Sequence, residues 1–437
     1  MTKDELKQRI CRIIEEKRKK IIEIGESINR EPELGFKEKK TADKVEKLFR
    51  MLSISYEKEL AVTGIKGRIK GKKSNRTVAV LGELDAVICA RHPMADALTG
   101  AAHCCGHNVQ IAVMIAVGMA LLEAGAMDYL SGDVVLFAVP AEEYVEITYR
   151  NKLREEGKIE YFGGKQELIR LGAFDDIDMA LQIHLLTKKS NENVVCLGST
   201  SNGFIGKLVE YRGKAAHAAI APSEGINALN AAMLGIMGVH ALRETFREED
   251  CIRFHPTVSH GGDLVNVVPD YVCMESYVRA ASMAALRQSN MKIDRALRAG
   301  AGAIGAEVSI QNMPGYLPMN NNSELNQIFK MNAEVLYGED NVRKGKHEAG
   351  STDTGDLSHI MPTIHPWIEA VSGALHSEDY SIENIDAAYI KPAQTLAMTI
   401  IDLLYGEGEV AENLIQTYQP LLTKEQYFEF LNSFREN

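Results

Sequence analysis

The stretch His103-Cys104-Cys105-Gly106-His107-Asn108 stands between two runs of different character. Before it, Arg76 to Val87 carries Val78, Val80 and Leu81 and reads as a β-strand. After it, Asn108 to Ala124 is almost wholly apolar and reads as a buried helix. Further on, Asp133 to Val139 is a second β-branched run, and Met179 to Leu185 is another short apolar one. Strand, helix, strand, strand at this spacing predicts a sheet covered by helices on both faces.

Toward the N-terminus, Leu6, Ile10, Ile13, Ile14, Ile21 and Ile24 recur at helical spacing and predict one amphipathic helix over residues 3–28. It should stop near Asn29-Arg30-Glu31-Pro32, because the residue before a proline avoids helix. A second helix is expected from Glu38 to Ser53. Near residue 200 the character changes. The small residues Gly198 to Gly203 read as a hinge. A strand (Lys207 to Tyr211), a helix (about Glu224 to Phe246) and strands at Ile252 to Ser259 and Tyr271 to Ala280 follow. A helix from Met283 to Ile304 and a strand from Glu307 to Gln311 complete an α+β unit with apolar faces of its own. From Ser323 to Asn437 strand and helix return, ending in a polar helical tail.

Bulk properties narrow the function. The 437 residues suggest two or three domains. A net charge of -11 argues against nucleic acid or an anionic membrane as the partner. The longest apolar run, Ile111 to Leu122, is well short of the roughly twenty residues that span a bilayer. Met1 to Lys20 shows no signal peptide, and the 7 cysteines are odd in number, so a disulfide framework is not expected and the cytoplasm is the expected compartment.

Five local features could carry chemistry. Cys105 and His107, two apart around a glycine, can both point into one site, and thiolate with imidazole suits zinc and similar ions. The plainer alternative is a buried thiol beside a surface histidine. Pro140-Ala141-Glu142-Glu143 follows the strand ending at Val139, and two carboxylates there can divide labour. One would bind metal and the other act as acid and base on water; a solvated acidic loop is the alternative. His184 ends an apolar strand, where a core histidine is the alternative. His376, in Ala374-Leu375-His376-Ser377-Glu378-Asp379, could equally belong to a capping turn. Asp85, in Gly82-Glu83-Leu84-Asp85-Ala86, is placed to orient His107 if it is not a turn aspartate. Together Cys105, His107, Glu143, His184 and His376 could hold two divalent ions.

In this order the motifs resemble the M20 family of metallopeptidases and amidohydrolases, in the branch of hippurate, indole-acetyl-amino-acid and aminobenzoyl-glutamate hydrolases. Asn29-Arg30-Glu31-Pro32-Glu33-Leu34-Gly35-Phe36 is similar to that branch's N-terminal signature, Cys105-Gly106-His107 to its ligand pair, and Glu142-Glu143 to its catalytic pair. Gly213 to Ala218, Gly261 to Asp270 and Val278-Arg279-Ala280 resemble its lid motifs. The resemblance implies a three-layer α/β/α di-metal catalytic domain, residues 1–200 and 316–437, interrupted by an inserted α+β lid and dimerisation domain, 201–315. It implies two zinc or manganese ions, Glu142 as proton carrier with Asp85 beside it, and a homodimer formed through the inserted domain. His217 would reach the neighbour's site and bind the carbonyl oxygen, while Asn266 and Arg279 would hold the substrate carboxylate. Substrates would be N-acyl or N-aroyl amino acids or dipeptides.

Three departures narrow the branch. Asn108 replaces the family's usual aspartate, Ser351-Thr352-Asp353-Thr354-Gly355-Asp356 replaces a Ser-Glu-Asp-Phe motif, and Gly163-Gly164-Lys165 precedes Gly172 to Asp176. The Ser351 to Asp356 motif with Pro362-Thr363-Ile364-His365-Pro366, and Gly163-Gly164-Lys165, look closer to the aminobenzoyl-glutamate hydrolase B-subunit and aminoacylase-like dipeptidase group, the subfamily D side. The charged insertion Tyr144 to Phe162 fits no motif and, lying beside the catalytic pair, bears on substrate choice. Two other readings are a cysteine hydrolase using Cys105 with His107, whose close spacing in a turn disfavours alignment, and a metal-binding or regulatory protein that keeps the fold without turnover.

Overall fold

A computed structural model of the chain describes residues 1–189 and 194–435. It divides into two compact units.

The first comprises Met1–Ser199, Asn320–Lys346 and Asp356–Leu421. Its centre is a six-stranded sheet in the order 55–60, 64–69, 133–139, 77–83, 179–181, 363–364. The four strands 133–139, 77–83, 179–181 and 363–364 run parallel, and the register pairs Thr77 with Asp133 and Glu83 with Val139. Every residue of 77–83 and 133–139 is buried, as strands covered on both faces must be. Alternation sends Leu136 toward the helix His107–Glu123, where it meets Gly118, and Phe137 toward Phe174 on the opposite face. That helix is buried from His107 to Leu121, which is why it has no polar side. Because Glu83 and Val139 share one sheet edge, Asp85, Glu142 and Glu143 leave the sheet together.

Two elements divide where one was expected. The N-terminal helix is two, Lys3–Glu16 and Arg18–Asn29, parted at Lys17, whose backbone (φ -89°, ψ 4°) is not helical. Met179 to Leu185 is two strands, Met179–Leu181 in the central sheet and His184–Thr187 in a second sheet, where it pairs in parallel with Trp367–Ser372. Gln182 and Ile183 cross between them, and that crossing presents His184.

The second unit comprises Thr200–Met319, His347–Gly355 and Leu422–Asn437. Its antiparallel sheet runs in the order 253–260, 271–280, 203–212, 307–314 and is backed by the helices Ala228–Ala241 and Met283–Ile304. His347–Gly355 and Leu422–Asn437 were expected with the rest of 316–437 in the first unit. Here Arg287 stacks on Phe430 and bonds Ser433, and Thr200–Ser201 pairs with His347–Glu348. No described helix is long and apolar enough to cross a membrane.

Candidate metal centre

At the C-terminal edge of the central sheet, Cys105, His107 and His184 place one donor atom each within 4.8 Å of one another, and so do Cys105, Glu143 and His376. Cys105 belongs to both sets. Each donor is fixed from behind. His107 begins the apolar helix, preceded by Gly106 at φ +85°, where a side chain would strike Tyr380 Oη at 2.8 Å. His107 Nδ1 donates to the Asp85 carbonyl (2.9 Å), which turns Nε2 into the cluster. His184 Nδ1 faces the Leu185 carbonyl at 2.6 Å and leaves Nε2 at 3.3 Å from Cys105 Sγ. His376 Nε2 lies 2.9 Å from Glu143 Oε1, and its backbone N–H holds the Cys104 carbonyl. His376 itself has φ +61°, an unfavourable conformation for a non-glycine residue, and its side chain is 45% exposed, so the cluster opens to solvent on that side.

Electrostatics match a cation site. Burial is the largest influence on Cys105 and opposes ionisation, as does Glu143, but His184, His107 and His376 outweigh both and bring the thiol down to about 5. Burial also opposes the Glu143 charge, yet His376 and His107 hold that carboxyl at about 2. Two buried atoms of the sets, His107 Nε2 and Glu143 Oε1, meet only ionisable groups, Glu83 Oε2 and His376 Nε2, at 2.9 Å each. A buried cysteine, histidines and carboxylates gathered this closely fit divalent ions.

Glu142 lies beside the donors, 8% exposed, with Oε2 3.9 Å from His107 Nε2. Asp85 ties the motifs together: Oδ1 is 3.3 Å from His107 Nδ1, and Oδ2 accepts from the Glu143 backbone N–H at 2.8 Å.

Sequence reasoning missed the layer beneath. Glu83, fully buried, accepts from Lys165 (2.7 Å), Gln182 (2.6 Å) and Gln110 (2.9 Å), and its Oε2 is 2.9 Å from His107 Nε2. With His107 and Glu142 it makes a third group of donors. Burial opposes its charge, but Lys165 and His107 hold it well below the carboxylate range. The signal was present, since Glu83 sits two residues before Asp85 and Lys165 follows a glycine pair. Glu38 accepts from Ala141 N–H at 2.8 Å and from Thr63 at 2.6 Å, and burial with the Asp85 charge raises it to about 7.

His217, Asn266 and Arg279 lie in the second unit. His217 is exposed, and its Nδ1 accepts from the N–H groups of Ala219 (3.2 Å) and Ile220 (3.1 Å). In the neutral ring this puts the proton on Nε2, a donor aimed away from its own loop. Ala218 N–H bonds the Asn266 carbonyl at 2.9 Å, so the two lid motifs meet. Arg279 stacks on Phe204 and Tyr277, with Nε 3.1 Å from His255 Nε2 and Nη1 2.7 Å from Ser351 Oγ.

Comparison with known proteins decides the family. The sequence pattern of peptidase family M20/M25/M40 matches residues 79–402. The chain belongs to that family. It is 31% identical to human Xaa-Arg dipeptidase over 347 residues, 76% of this chain and 73% of that one. The fold is shared with a dinuclear metal binding peptidase of the M20 family from Bacillus subtilis (TM-score 0.66, 19% identity, 89% and 98% of the two chains). It is shared also with an aminobenzoyl-glutamate utilization protein from Klebsiella pneumoniae (TM-score 0.64, 17% identity, 89% and 97%). As an M20 peptidase this chain is a hydrolase of amide or peptide bonds.

Proposed function

We propose that this M20 hydrolase cleaves the amide bond of dipeptides or N-acyl and N-aroyl amino acids, using two divalent ions. The observation that carries the reading is that two sets of three donors share one buried cysteine, Cys105. His107 and His184 would complete one set, and Glu143 and His376 the other. Zinc or manganese bound there would polarise the scissile carbonyl and acidify the attacking water. The chain's own residues do the rest. Glu142 takes the proton of the attacking water and delivers it to the leaving nitrogen. Asp85 holds the His107 ring and the Glu143 backbone in place. Asn266 and Arg279 grip the carboxylate of the substrate, a task suited to a planar guanidinium. His217 of the partner subunit donates to the carbonyl oxygen, through a homodimer formed by the inserted unit.

Similarity to Xaa-Arg dipeptidase, with the Ser351 to Asp356 motif and Gly163-Gly164-Lys165, supports the dipeptidase and aminobenzoyl-glutamate side of the family. All seven cysteines are free, which fits a reducing compartment such as the cytoplasm. One observation favours a second reading: Cys105 Sγ faces His184 Nε2 at 3.3 Å, the distance of a thiolate–imidazole pair.

The test is hydrolysis of aminobenzoyl-glutamate, hippurate, an acetyl-amino acid and dipeptides with basic C-terminal residues. Each is assayed with chelator and with manganese or zinc returned. Loss under chelator and recovery with metal is the expected result. Activity that survives complete metal removal would transfer the role to the Cys105–His184 pair. No cleavage of any substrate by metal-loaded protein would count against this substrate class.

A further inference from the structure

We propose that Arg150 is a positioning residue for the hydrolysis, its buried guanidinium fixing the loop that carries Glu142, and that the segment 144–162 supplies it. This rests on the assignment of Glu142 as the proton carrier. Beyond Val139 the chain leaves the sheet and loses its ladder partners. Ala141, the residue before Glu142, has φ +54°, a left-handed conformation that persists in a non-glycine residue only where its surroundings impose it.

The imposing group is visible. Arg150 is 1% exposed, in the helix Ile147–Glu155. Its Nη1 donates to the carbonyls of Ala141 (3.3 Å) and Phe162, its Nη2 to the carbonyl of Glu143, and its Nε to that of Val145 (2.8 Å). One rigid plane therefore holds the backbone on both sides of Glu142. Among the described residues Arg150 has no carboxylate partner. Four carbonyl dipoles and the faces of Phe36 (5.2 Å) and Tyr144 (5.6 Å) balance its charge. Glu38 and Asp85 hold the N–H groups of Ala141 and Glu143, so the guanidinium completes the set of backbone restraints.

The same contact accounts for Gly35-Phe36. A Cβ on Gly35 would stand 2.6 Å from Arg150 Nη2 and 3.0 Å from the Ala141 Cα, so only glycine lets the N-terminal motif close over the guanidinium. Lysine cannot replace it, because an ammonium offers its donors from a single point.

Arg150→Lys and Gly35→Ala are assayed on the substrate the wild type cleaves best, alongside metal content and melting temperature, with Glu142→Gln as control. The expected result for both is kcat lower on the order of 10²-fold, with KM and bound metal as in wild type. Added guanidinium should restore part of the rate to Arg150→Ala. A folded, metal-loaded Arg150→Lys with kcat within about threefold of wild type overturns the proposal, as does a parallel loss of metal and activity, which would make the role structural. Should Arg150→Lys not fold, Gly35→Ala decides by the same criteria. An inactive wild type, or an active Glu142→Gln, fails the functional reading itself and the proposal with it. An inactive Glu142→Gln beside a fully active Arg150→Lys fails the proposal alone.

Discussion

Glu142 and Glu143 are neighbours in sequence but have different surroundings. Glu143 is held ionised by His376 and sits in a donor set, whereas Glu142 stands beside the other set within reach of His107. Glu142→Gln keeps size and polarity and removes only the ability to take a proton. It should lower kcat by about 10²- to 10⁴-fold while metal analysis still finds both ions. Metal lost along with activity would instead make Glu142 a ligand. The donors could be picked out because cysteine, histidine and paired glutamates at strand ends are few and chemically distinctive. Glu38 and Arg150 could not be, because what makes them special is burial. A glutamate at a helix start and an arginine in a charged helix are ordinary residues until the fold takes them out of water. Asp85 was read as orienting His107, and its hold on the Glu143 backbone depends on a loop conformation that no spacing predicts.

At the level of elements, periodicity located the central strands, the buried helix and the elements of the second unit, because burial repeats every 3.6 or 2 residues, and it passed over the strands Ser55–Leu60 and Gly64–Ile69 and the helix Lys391–Leu404. The strand Asp133–Val139 and the helix Met283–Ile304 have the expected limits. The break at Lys17 and the crossing at Gln182 were illegible, since both continue an apolar pattern and are settled by what each half packs against. Periodicity was silent on Lys207, which lies within a strand yet is fully buried. Its ammonium donates to Asn290, Asp294 and Asn312, each at 2.5 Å, so its donors are all used. Lys207→Met leaves the buried Asp294 carboxylate without its counter-ion and should cost the second unit about 3–5 kcal/mol, read from its unfolding transition. Burial outweighs the attraction of Asp294 and lowers Lys207 to about 8. The unfolded chain therefore binds more protons than the folded one between about pH 8 and the ordinary lysine value, and the lysine contributes stability that rises with pH across that window. The melting temperature of the wild type should climb relative to Lys207→Met from pH 8 to pH 10. A constant difference would show that the network does not titrate.

For the whole molecule, the candidate metal donors lie in the first unit and His217, Asn266 and Arg279 in the second. No pattern in the sequence shows that segments separated by some hundred residues form one domain; the order of motifs suggested it, through resemblance alone. The proposed homodimer makes a quantitative claim about assembly. His217→Ala should remain dimeric and lose most turnover, because the carbonyl oxygen loses its donor. Glu142→Gln should be inactive for a different reason. If His217 serves the neighbouring subunit, a heterodimer of the two variants holds one damaged site and one intact one. The damaged site combines the altered Glu142 with the altered His217. The intact site takes Glu142 from the His217→Ala chain and His217 from the Glu142→Gln chain. Random exchange at equal amounts makes about half of the dimers mixed, with one working site in two, so the mixture should recover about a quarter of wild-type activity. Were His217 to serve its own chain, every dimer would hold only damaged sites and mixing would restore nothing. Native mass spectrometry showing mixed dimers, alongside a rate no higher than that of the separate variants, would therefore reject the shared site even if every other assignment held.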